Sequence, residues 1–359
     1  MGARAVAVAW LVTALAAAGC GHRAAGDARR GDRAEALAAA ERFLDRYVDA
    51  DGRVVRRDQG SDTVGEGQAY ALLLTAATGD RRRFDRVWRW TSEHLRRRDG
   101  LLAHRWAGGR VLDGDAATDA DVDTAHALVL GARRFDRPGL RREARRTARA
   151  ILAHETVRHG RRRTLVAGPW ARTAPVVNVS YFDPRAYGRL AALGRRGDWR
   201  ALRRDAPRTI RRLAGAGRLP PDWARPGPDG RLAPARGADG GPSSAALYGF
   251  DAVRVPIRLA AACDRASRRT AARLAPVLRD GQPDRLPRGL DGSTADGAVR
   301  HAVALVGVAA AAHARGERAL ARRLLDDAEA LDAAAPTYYG AAWVALGRVL
   351  LTTRLLGGC

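Results

Sequence analysis

Apolar residues recur at helical spacing in about twelve separate segments of this chain, and this periodicity is its most constraining feature. Connections rich in Gly, Pro and Asp separate the segments, and little of the chain alternates as a β-strand does. Twelve helices suit six helical hairpins closed in a ring, but a twelve-helix bundle or a solenoid would have the same count. The sequence therefore predicts an all-α fold. The predicted helices are Ala34–Tyr47, Glu66–Ala77, Phe84–Leu95, Asp121–Phe135, Leu140–Ala153, Pro184–Leu193, Trp199–Leu213, Asp251–Cys263, Ser267–Leu278, Ala298–Ala314, Ala319–Leu331 and Tyr338–Leu355.

Acidic residues stand at the start of several predicted helices. Glu66 lies between two glycines, Asp119 is followed by Asp121 and Asp123, and Asp251 lies far downstream. Acids at helix starts are usually caps that favour the helix dipole. Separate acids brought together by folding are also what hydrolysis of a glycosidic bond requires, because one must give a proton and another must activate water or attack the sugar. Spacing alone does not choose between the two interpretations.

The residues around these acids resemble the motifs of glycoside hydrolase family 8. Val64–Leu74 resembles the family's S-E-G-Q-x-Y-x-M-L-L segment, Ala117–Phe135 its A-[ST]-D-[AG]-D signature, and Asp251–Pro256 its D-A-x-R-x-P motif. The further similar segments follow in family order and are Phe84–Thr91, Asn178–Pro184, Gly217–Trp223 and Pro336–Tyr339. The resemblance covers nearly the whole chain from about residue 34 onward. It implies an (α/α)6 barrel of about twelve helices, which forms a single catalytic domain over residues 33–359.

The resemblance also implies an inverting mechanism with Glu66 as general acid and Asp251 as general base. The glycines beside Glu66 are expected to leave room for a sugar. Asp119 matches the family acid that grips the sugar at the point of cleavage, and Tyr181 and Arg254 match residues near the central subsite. A hydrolysis that needs two carboxyl groups and water implies no cofactor and no metal.

Alternatives stay open for these residues. Asp251 could cap its helix and pair with Arg254 one turn on, and in some family members the base comes from elsewhere. Three acids in five residues repel one another unless some are solvated or capping, so Asp121 is expected to cap or to support the site from behind. A calcium loop at Asp119–Asp123 would lack the sixth-position Gly and the twelfth-position Glu of an EF-hand.

Aromatic residues supply candidate stacking platforms for sugar rings, namely Trp170, Trp106, Trp223 and Tyr248. Trp88 and Trp90 are expected in the core, because each lies on a helix with regular apolar spacing. His104 stands where the family's L-M-A-W segment has a stacking Trp, and Trp106 could compensate if this segment shifts register. These departures concern the identity of the sugar.

The first residues read as a targeting segment. An apolar run ends at Ala17-Ala18-Gly19-Cys20, which resembles a bacterial lipobox with Cys20 as the lipidated residue; an ordinary secretory signal is the alternative. Residues 1–20 are thus predicted to be a signal peptide, and the polar, Gly- and Arg-rich residues 21–32 a flexible tether. Two further cysteines, Cys263 and Cys359, could pair in an oxidising compartment.

The formal net charge of +24 comes with 63 basic residues, all of them Arg. These arginines are spread over many helices and form no single stripe with interleaved aromatics, so a nucleic-acid partner is not expected. The charge disfavours polycationic chitosan as substrate and favours contact with anionic lipid headgroups at low salt.

We therefore expect an exported, membrane-anchored or secreted monomer that hydrolyses β-1,4-glucosidic bonds of cellulose or a similar polysaccharide from within the chain. The alternatives are the same chemistry on xylan, mixed-linkage glucan or chitosan, or a non-catalytic glycan-binding lipoprotein.

Overall fold

The computed structural model describes residues 9–159, 162–227, 229, 231–238 and 246–358, without the side chains of residues 9–25. This part of the chain contains twelve α-helices, one for each segment that the sequence predicts. They are α1 Ala9–Tyr47, α2 Gly65–Thr78, α3 Arg81–His94, α4 Thr118–Arg134, α5 Pro138–His154, α6 Pro184–Leu190, α7 Arg196–Ala214, α8 Arg254–Ala260, α9 Arg265–Arg279, α10 Ala302–Arg315, α11 Arg318–Ala334 and α12 Tyr338–Thr352. Single 3-10 turns lie at Pro169–Ala171, Val179–Tyr181 and Ala191–Leu193.

The even-numbered helices form a closed inner ring. Helix α2 packs on α4, α4 on α6, α6 on α8, α8 on α10, α10 on α12, and α12 returns to α2. The inner helices α2 to α10 each pack against the outer helix that follows in sequence, from α2 with α3 to α10 with α11, and α12 packs against α1. The return contact of α12 with α2 distinguishes this (α/α)6 barrel from an open solenoid, and the single domain is as expected.

Composition explains which helices are inside. Along α2, Glu66 is the sole charged residue, and nearly every other position is buried. Outer helices such as α5 and α7 bury one apolar stripe, which includes Leu140 and Ile151 in α5, and turn their arginines to solvent. A helix that is apolar all round is stable only when neighbours cover every side of it. Glu66 is therefore the one charged side chain on an otherwise almost wholly buried inner helix.

Among the described residues, eleven short strands connect the helices, although the sequence shows little strand alternation. All pairings are antiparallel, and the strands have two to seven residues, too few for a clear alternating pattern. They are β1 Thr63–Val64, β2 Arg105–Ala107, β3 Arg110–Asp113, β4 Thr156–His159, β5 Arg162–Leu165, β6 Val177–Asn178, β7 Trp223–Pro226, β8 Leu232–Ala235, β9 Leu247–Tyr248, β10 Arg285–Gly289 and β11 Thr294–Arg300.

Residues 21–32, predicted to be a flexible tether, continue helix α1 in the structure. Asp32 is buried and accepts hydrogen bonds from Arg322 of α11 at 2.6 and 2.7 Å. This ion pair holds the beginning of the folded domain against the outer layer. None of the described helices is both long and apolar enough for a membrane span. The side chain of Cys20, and the whole of Cys359, lie outside the described residues, while Cys263 is disulfide-bonded.

Candidate active site

The N-terminal ends of several inner helices meet around one cavity of about 420 Å³. Helix α2 contributes Glu66, the turn before α8 contributes Asp251, and α8 begins with Arg254. The beginnings of α10 and α12 complete the wall, and the remaining lining residues are Arg56, Gln59, Phe250, His301, Thr337, Tyr338 and Tyr339. The ring thus gathers side chains that are far apart in the sequence.

Arg254 is the centre of this cluster. Its guanidinium is 2% exposed and contacts three carboxyl groups: Asp119 Oδ2 at 2.8 Å, Glu66 Oε2 at 3.6 Å, and Asp251 Oδ1. Glu66 and Asp251 keep 24% and 29% of their side chains exposed to the cavity, whereas Asp119 keeps 3%. A substrate can therefore reach Glu66 and Asp251, while Asp119 lies behind them.

Glu66 keeps a substantial protonated fraction near neutral pH. Burial on the apolar helix raises its pKa to about 7, the negative charge of Asp119 adds to the rise, and Arg254 opposes it. A carboxylic acid with such a pKa can donate a proton at neutral pH, as a general acid must.

The glycines beside Glu66 allow neighbouring helices to pack closely against α2. The expectation that they leave room for a sugar is therefore wrong. A Cβ at Gly67 would lie 2.5 Å from the Tyr338 hydroxyl, and one at Gly65 would lie 3.2 Å from Ala120 Cβ. Helices α12 and α4 thus approach the backbone of α2 on both sides of Glu66.

The pKa of Asp251 is raised overall, although neighbouring groups act on it in both directions. Burial raises its pKa, Arg254 and the side chain of Asn178 lower it, and Asp119 raises it further. The ion pair with Arg254 favours the ionised form that a base needs. Nearby, Asp222 is another carboxyl group, and burial together with the charge of Asp251 raises its pKa to about 7.

Of the three acids at the start of α4, Asp119 and Asp123 both face arginines of α8, whereas Asp121 faces the backbone of Leu102. Asp119 contacts Arg254; Asp121 accepts the Leu102 N–H at 2.9 Å, and Asp123 makes two bonds with Arg258 at 2.7 and 2.8 Å. Of the three, Asp119 is the one that contacts Arg254 and so joins the cluster at the cavity.

Comparison with known proteins identifies the family of this chain. A sequence model described as "Glycosyl hydrolases family 8" matches residues 22–353. The chain belongs to glycoside hydrolase family 8. An endoglucanase of Cellulomonas uda is 29% identical over 233 residues, which cover 63% of either chain, so this alignment spans less than two thirds of that relative.

Solved structures show the same family 8 fold. An endo-β-1,4-glucanase from Acetobacter xylinum has a TM-score of 0.71 at 24% identity, over 89% of this chain and 99% of that one. A β-1,3-1,4-glucanase from Paenibacillus sp. X4 has a TM-score of 0.76 at 17% identity, over 90% and 92%. At these identities the likeness establishes the barrel.

The aromatic residues expected to stack on sugars occupy different places in this family 8 barrel. Arg254 lies over the ring of Tyr181 at 5.5 Å, so Tyr181 joins the cluster. Trp170 is 43% exposed and donates its indole N–H to Ala116 O, just before α4. Trp223 is partly buried in β7. Tyr248 is 1% exposed in the main core and offers no ring face to a sugar, which corrects the expectation for it.

His104 lies just before β2 and Trp106 lies within it. The carbonyl of His104 accepts the N–H of Gly65, the residue before Glu66, at 2.9 Å. His104 Nδ1 lies 2.9 Å from Asp113 Oδ2, and both side chains are nearly half exposed. Trp106 packs edge-on against Trp90, with ring centroids 5.2 Å apart, and the guanidinium of Arg53 lies over the Trp106 ring, 4.6 Å from its centroid. Trp90 is 4% exposed, which confirms its place in the interior.

Sequence reasoning missed several residues of the site. Asp222 was noted as part of a motif and given no role, and Tyr70, whose hydroxyl lies 3.4 Å from Arg254 Nη1, was not singled out. Arg56 and Tyr339 also line the cavity. Asp222 and Tyr70 both lie within segments that resemble family motifs, and this is the signal that could have identified them. Nothing in the sequence pointed to Arg56.

A larger cavity of about 1150 Å³ lies beside α5 and the β4–β5 hairpin. Its lining includes Arg158, Arg163 and Arg172, with Asp229 as its acidic residue among those described. A lone carboxylate among arginines lacks the acid and base that glycoside hydrolysis needs. The smaller cavity at Glu66 is therefore the candidate active site.

Proposed function

We propose that this protein is an inverting endo-β-1,4-glucanase that acts on cellulose or a similar glucan. One observation carries the proposal: Glu66, with its raised pKa, and Asp251 both open onto one cavity and contact the same guanidinium. Two carboxyl groups in different protonation states are the minimum equipment for glycoside hydrolysis.

In the proposed reaction, Glu66 gives its proton to the glycosidic oxygen as the bond from that oxygen to the anomeric carbon breaks. Asp251 takes a proton from a water molecule as the water oxygen bonds to the same carbon from the opposite face. One water is consumed, and the two carboxyl groups exchange protonation states. Arg254 lowers the pKa of Asp251 and so favours its ionised form. Asp119 binds Arg254, and burial together with the charge of Asp119 raises the pKa of Glu66.

The choice of glucan rests on the endoglucanases among the similar proteins. Mixed-linkage glucan is a second candidate because a β-1,3-1,4-glucanase shares the fold. Xylan and chitosan are further alternatives, and chitosan is disfavoured by the net charge of +24. A non-catalytic glycan-binding protein would have no need of Glu66, Asp119 and Asp251 together at one cluster.

We also propose that the protein is exported as a lipoprotein anchored through Cys20, with plain secretion as the alternative. The support is the apolar run that ends at Cys20. A basic surface would strengthen such an anchor on anionic lipid.

The test compares wild type, Glu66→Gln and Glu93→Gln on carboxymethylcellulose, lichenan, xylan and chitosan. Glu93 is an exposed acid on α3 and serves as the matched control. Loss of the proton donor is expected to slow hydrolysis by about 10²- to 10⁴-fold, while Glu93→Gln retains the wild-type rate. Wild-type turnover by Glu66→Gln would refute the assignment, and proton NMR of fresh product should show the α-anomer first.

A further inference from the structure

The carboxyl group of Asp222 lies against the turn that carries Asp251. Asp222 Oδ1 accepts the N–H of Gly249 at 2.8 Å and the N–H of Ala252 at 2.6 Å. These two donors stand on either side of Asp251 in the sequence. A single oxygen therefore binds the backbone both before and after the proposed base.

The backbone of Asp222 is itself fixed on two sides. Its N–H donates to Leu247 O at 2.8 Å, and its carbonyl accepts the N–H of Val179 at 3.3 Å. Val179 begins the 3-10 turn that ends at Tyr181, which lies under Arg254. Asp222 thus joins the turn of the base to the segment that carries Tyr181.

The close approach depends on a glycine. A Cβ at Gly249 would collide with Asp222 Oδ2, so a larger residue there would push the carboxyl group away. The turn needs an outside acceptor, because α8 begins at Arg254 and the N–H groups of Gly249 and Ala252 precede its regular hydrogen bonding. Asp222 supplies that acceptor.

We propose that Asp222 is a positioning residue that clamps the 249–252 turn and so holds Asp251 in the geometry of a general base. The inference rests on the proposed function for the role of Asp251, while the clamp itself rests on the two hydrogen bonds. Displacement of a reacting group by about 1 Å can cost about 100-fold in rate. Loss of the clamp should therefore lower kcat and leave substrate binding nearly intact.

The experiment compares Asp222→Ala, Asp222→Asn and the control Asp264→Ala. An amide oxygen can accept both N–H groups, whereas alanine cannot. We expect Asp222→Ala to lower kcat about 100-fold with KM within about threefold, and Asp222→Asn to restore most of that loss. Asp264 caps α9 by accepting the Ser267 N–H at 2.8 Å, away from the cavity, so Asp264→Ala should lower Tm and keep kcat.

Hydrogen exchange gives a measurement that needs no substrate. Mass spectrometry of a peptide spanning residues 246–258 should show faster exchange in Asp222→Ala than in wild type, and wild-type exchange in Asp222→Asn and Asp264→Ala. Gly249→Ala, which displaces the carboxyl group, should behave as Asp222→Ala does and replaces it if that variant does not fold.

The outcomes separate the two proposals. Unchanged exchange in Asp222→Ala, a kcat equal to that of Asp264→Ala, or equal damage in Asp222→Asn and Asp222→Ala would each overturn the positioning role. Faster exchange of the turn in a protein whose wild type hydrolyses no glycan would support the clamp and refute the proposed function.

Discussion

Replacement of Arg254 by methionine removes a guanidinium that contacts Asp119, Glu66 and Asp251, and tests the electrostatic basis of the site. The side chain is 2% exposed, so water cannot replace the lost contacts. Removal of one partner from a buried ion pair typically costs about 3–5 kcal/mol of stability. Urea unfolding of Arg254→Met at neutral pH should show a loss of this size.

Arg258 offers a matched control on the same helix. It is 4% exposed and binds Asp123 and Asp183, which take no part in the proposed chemistry. Arg258→Met should lose stability by a similar amount, about 3–5 kcal/mol. The two variants are expected to differ in activity, since only Arg254 contacts the acid and the base.

The difference should appear in the pH dependence of kcat. Arg254 lowers the pKa of both Asp251 and Glu66, so its removal should raise both. The base is active when ionised and is lost as pH falls, whereas the acid is active when protonated and is lost as pH rises. Both limbs of the pH profile should therefore move to higher pH.

A nearby opposite charge typically shifts a carboxyl pKa by about 1–3 units. At pH 5, kcat of Arg254→Met should thus fall about 10- to 1000-fold on a soluble cellulose oligomer, by the same principle. Assays at several pH values, on protein shown to be folded by circular dichroism, give the answer. An acidic limb that stays in place, or one that moves equally in Arg258→Met, would refute the role given to Arg254.

Three further predictions concern other parts of the chain. Glu155 is fully buried, and burial with the charge of Asp121 raises its pKa well above the ordinary 4.5, so the folded protein holds a proton that the unfolded chain releases. Stability should then fall as pH rises above about 4.5, and Glu155→Gln should reduce this fall when urea midpoints are compared at pH 5 and pH 8; an unchanged slope would exclude the effect. His104→Trp should improve binding of a cellulose oligomer by about 0.5–1.5 kcal/mol, seen in KM more than in kcat, unless Trp106 already fills that subsite, in which case Trp106→Ala is the damaging change; no effect from either would place the hairpin outside the cleft. If Cys20 is lipidated, the protein should sediment with membranes and Cys20→Ser should release it, whereas soluble wild-type protein would leave plain secretion.

The helices could be predicted because each carries its own apolar periodicity, but their boundaries depend on distant partners. The segment Asp251–Cys263 was predicted as one helix, yet α8 begins at Arg254. The reason is Asp222, 27 positions before Gly249 in the sequence, which draws the N–H groups of the preceding turn to itself. A contact between residues so far apart does not affect the spacing of apolar residues in the local sequence, so the sequence could not predict it.

Three acids of the site could likewise be predicted from the sequence, but most of their contacts could not. Motifs identified Glu66, Asp119 and Asp251, and the structure brings all three to Arg254. The sequence suggested Arg254 as a partner of Asp251, one helical turn away. The hydrogen bond from Arg254 in α8 to Asp119 in α4 joins two helices on different sides of the ring, and it forms only because the barrel closes. The burial of a single side chain could not be predicted from the sequence either. Tyr248 is buried in the core, so it is not among the residues that could bind a sugar.

Closure of the ring also has a consequence for the order of folding. The rings of Tyr70 in α2 and Trp343 in α12 lie 5.4 Å apart. The packing of the first inner helix is therefore complete only after the last inner helix has docked. Contacts between such distant parts of a chain are slow to form, because the intervening loop must be closed first. Until α12 arrives, one flank of the almost wholly apolar α2 stays uncovered, and uncovered apolar surface in a partly folded chain promotes aggregation. A chain in which only the first helices have folded thus contains Glu66 and Asp119 without a cavity around them. The cavity is complete only when α12, the last of the described helices, has packed against α2.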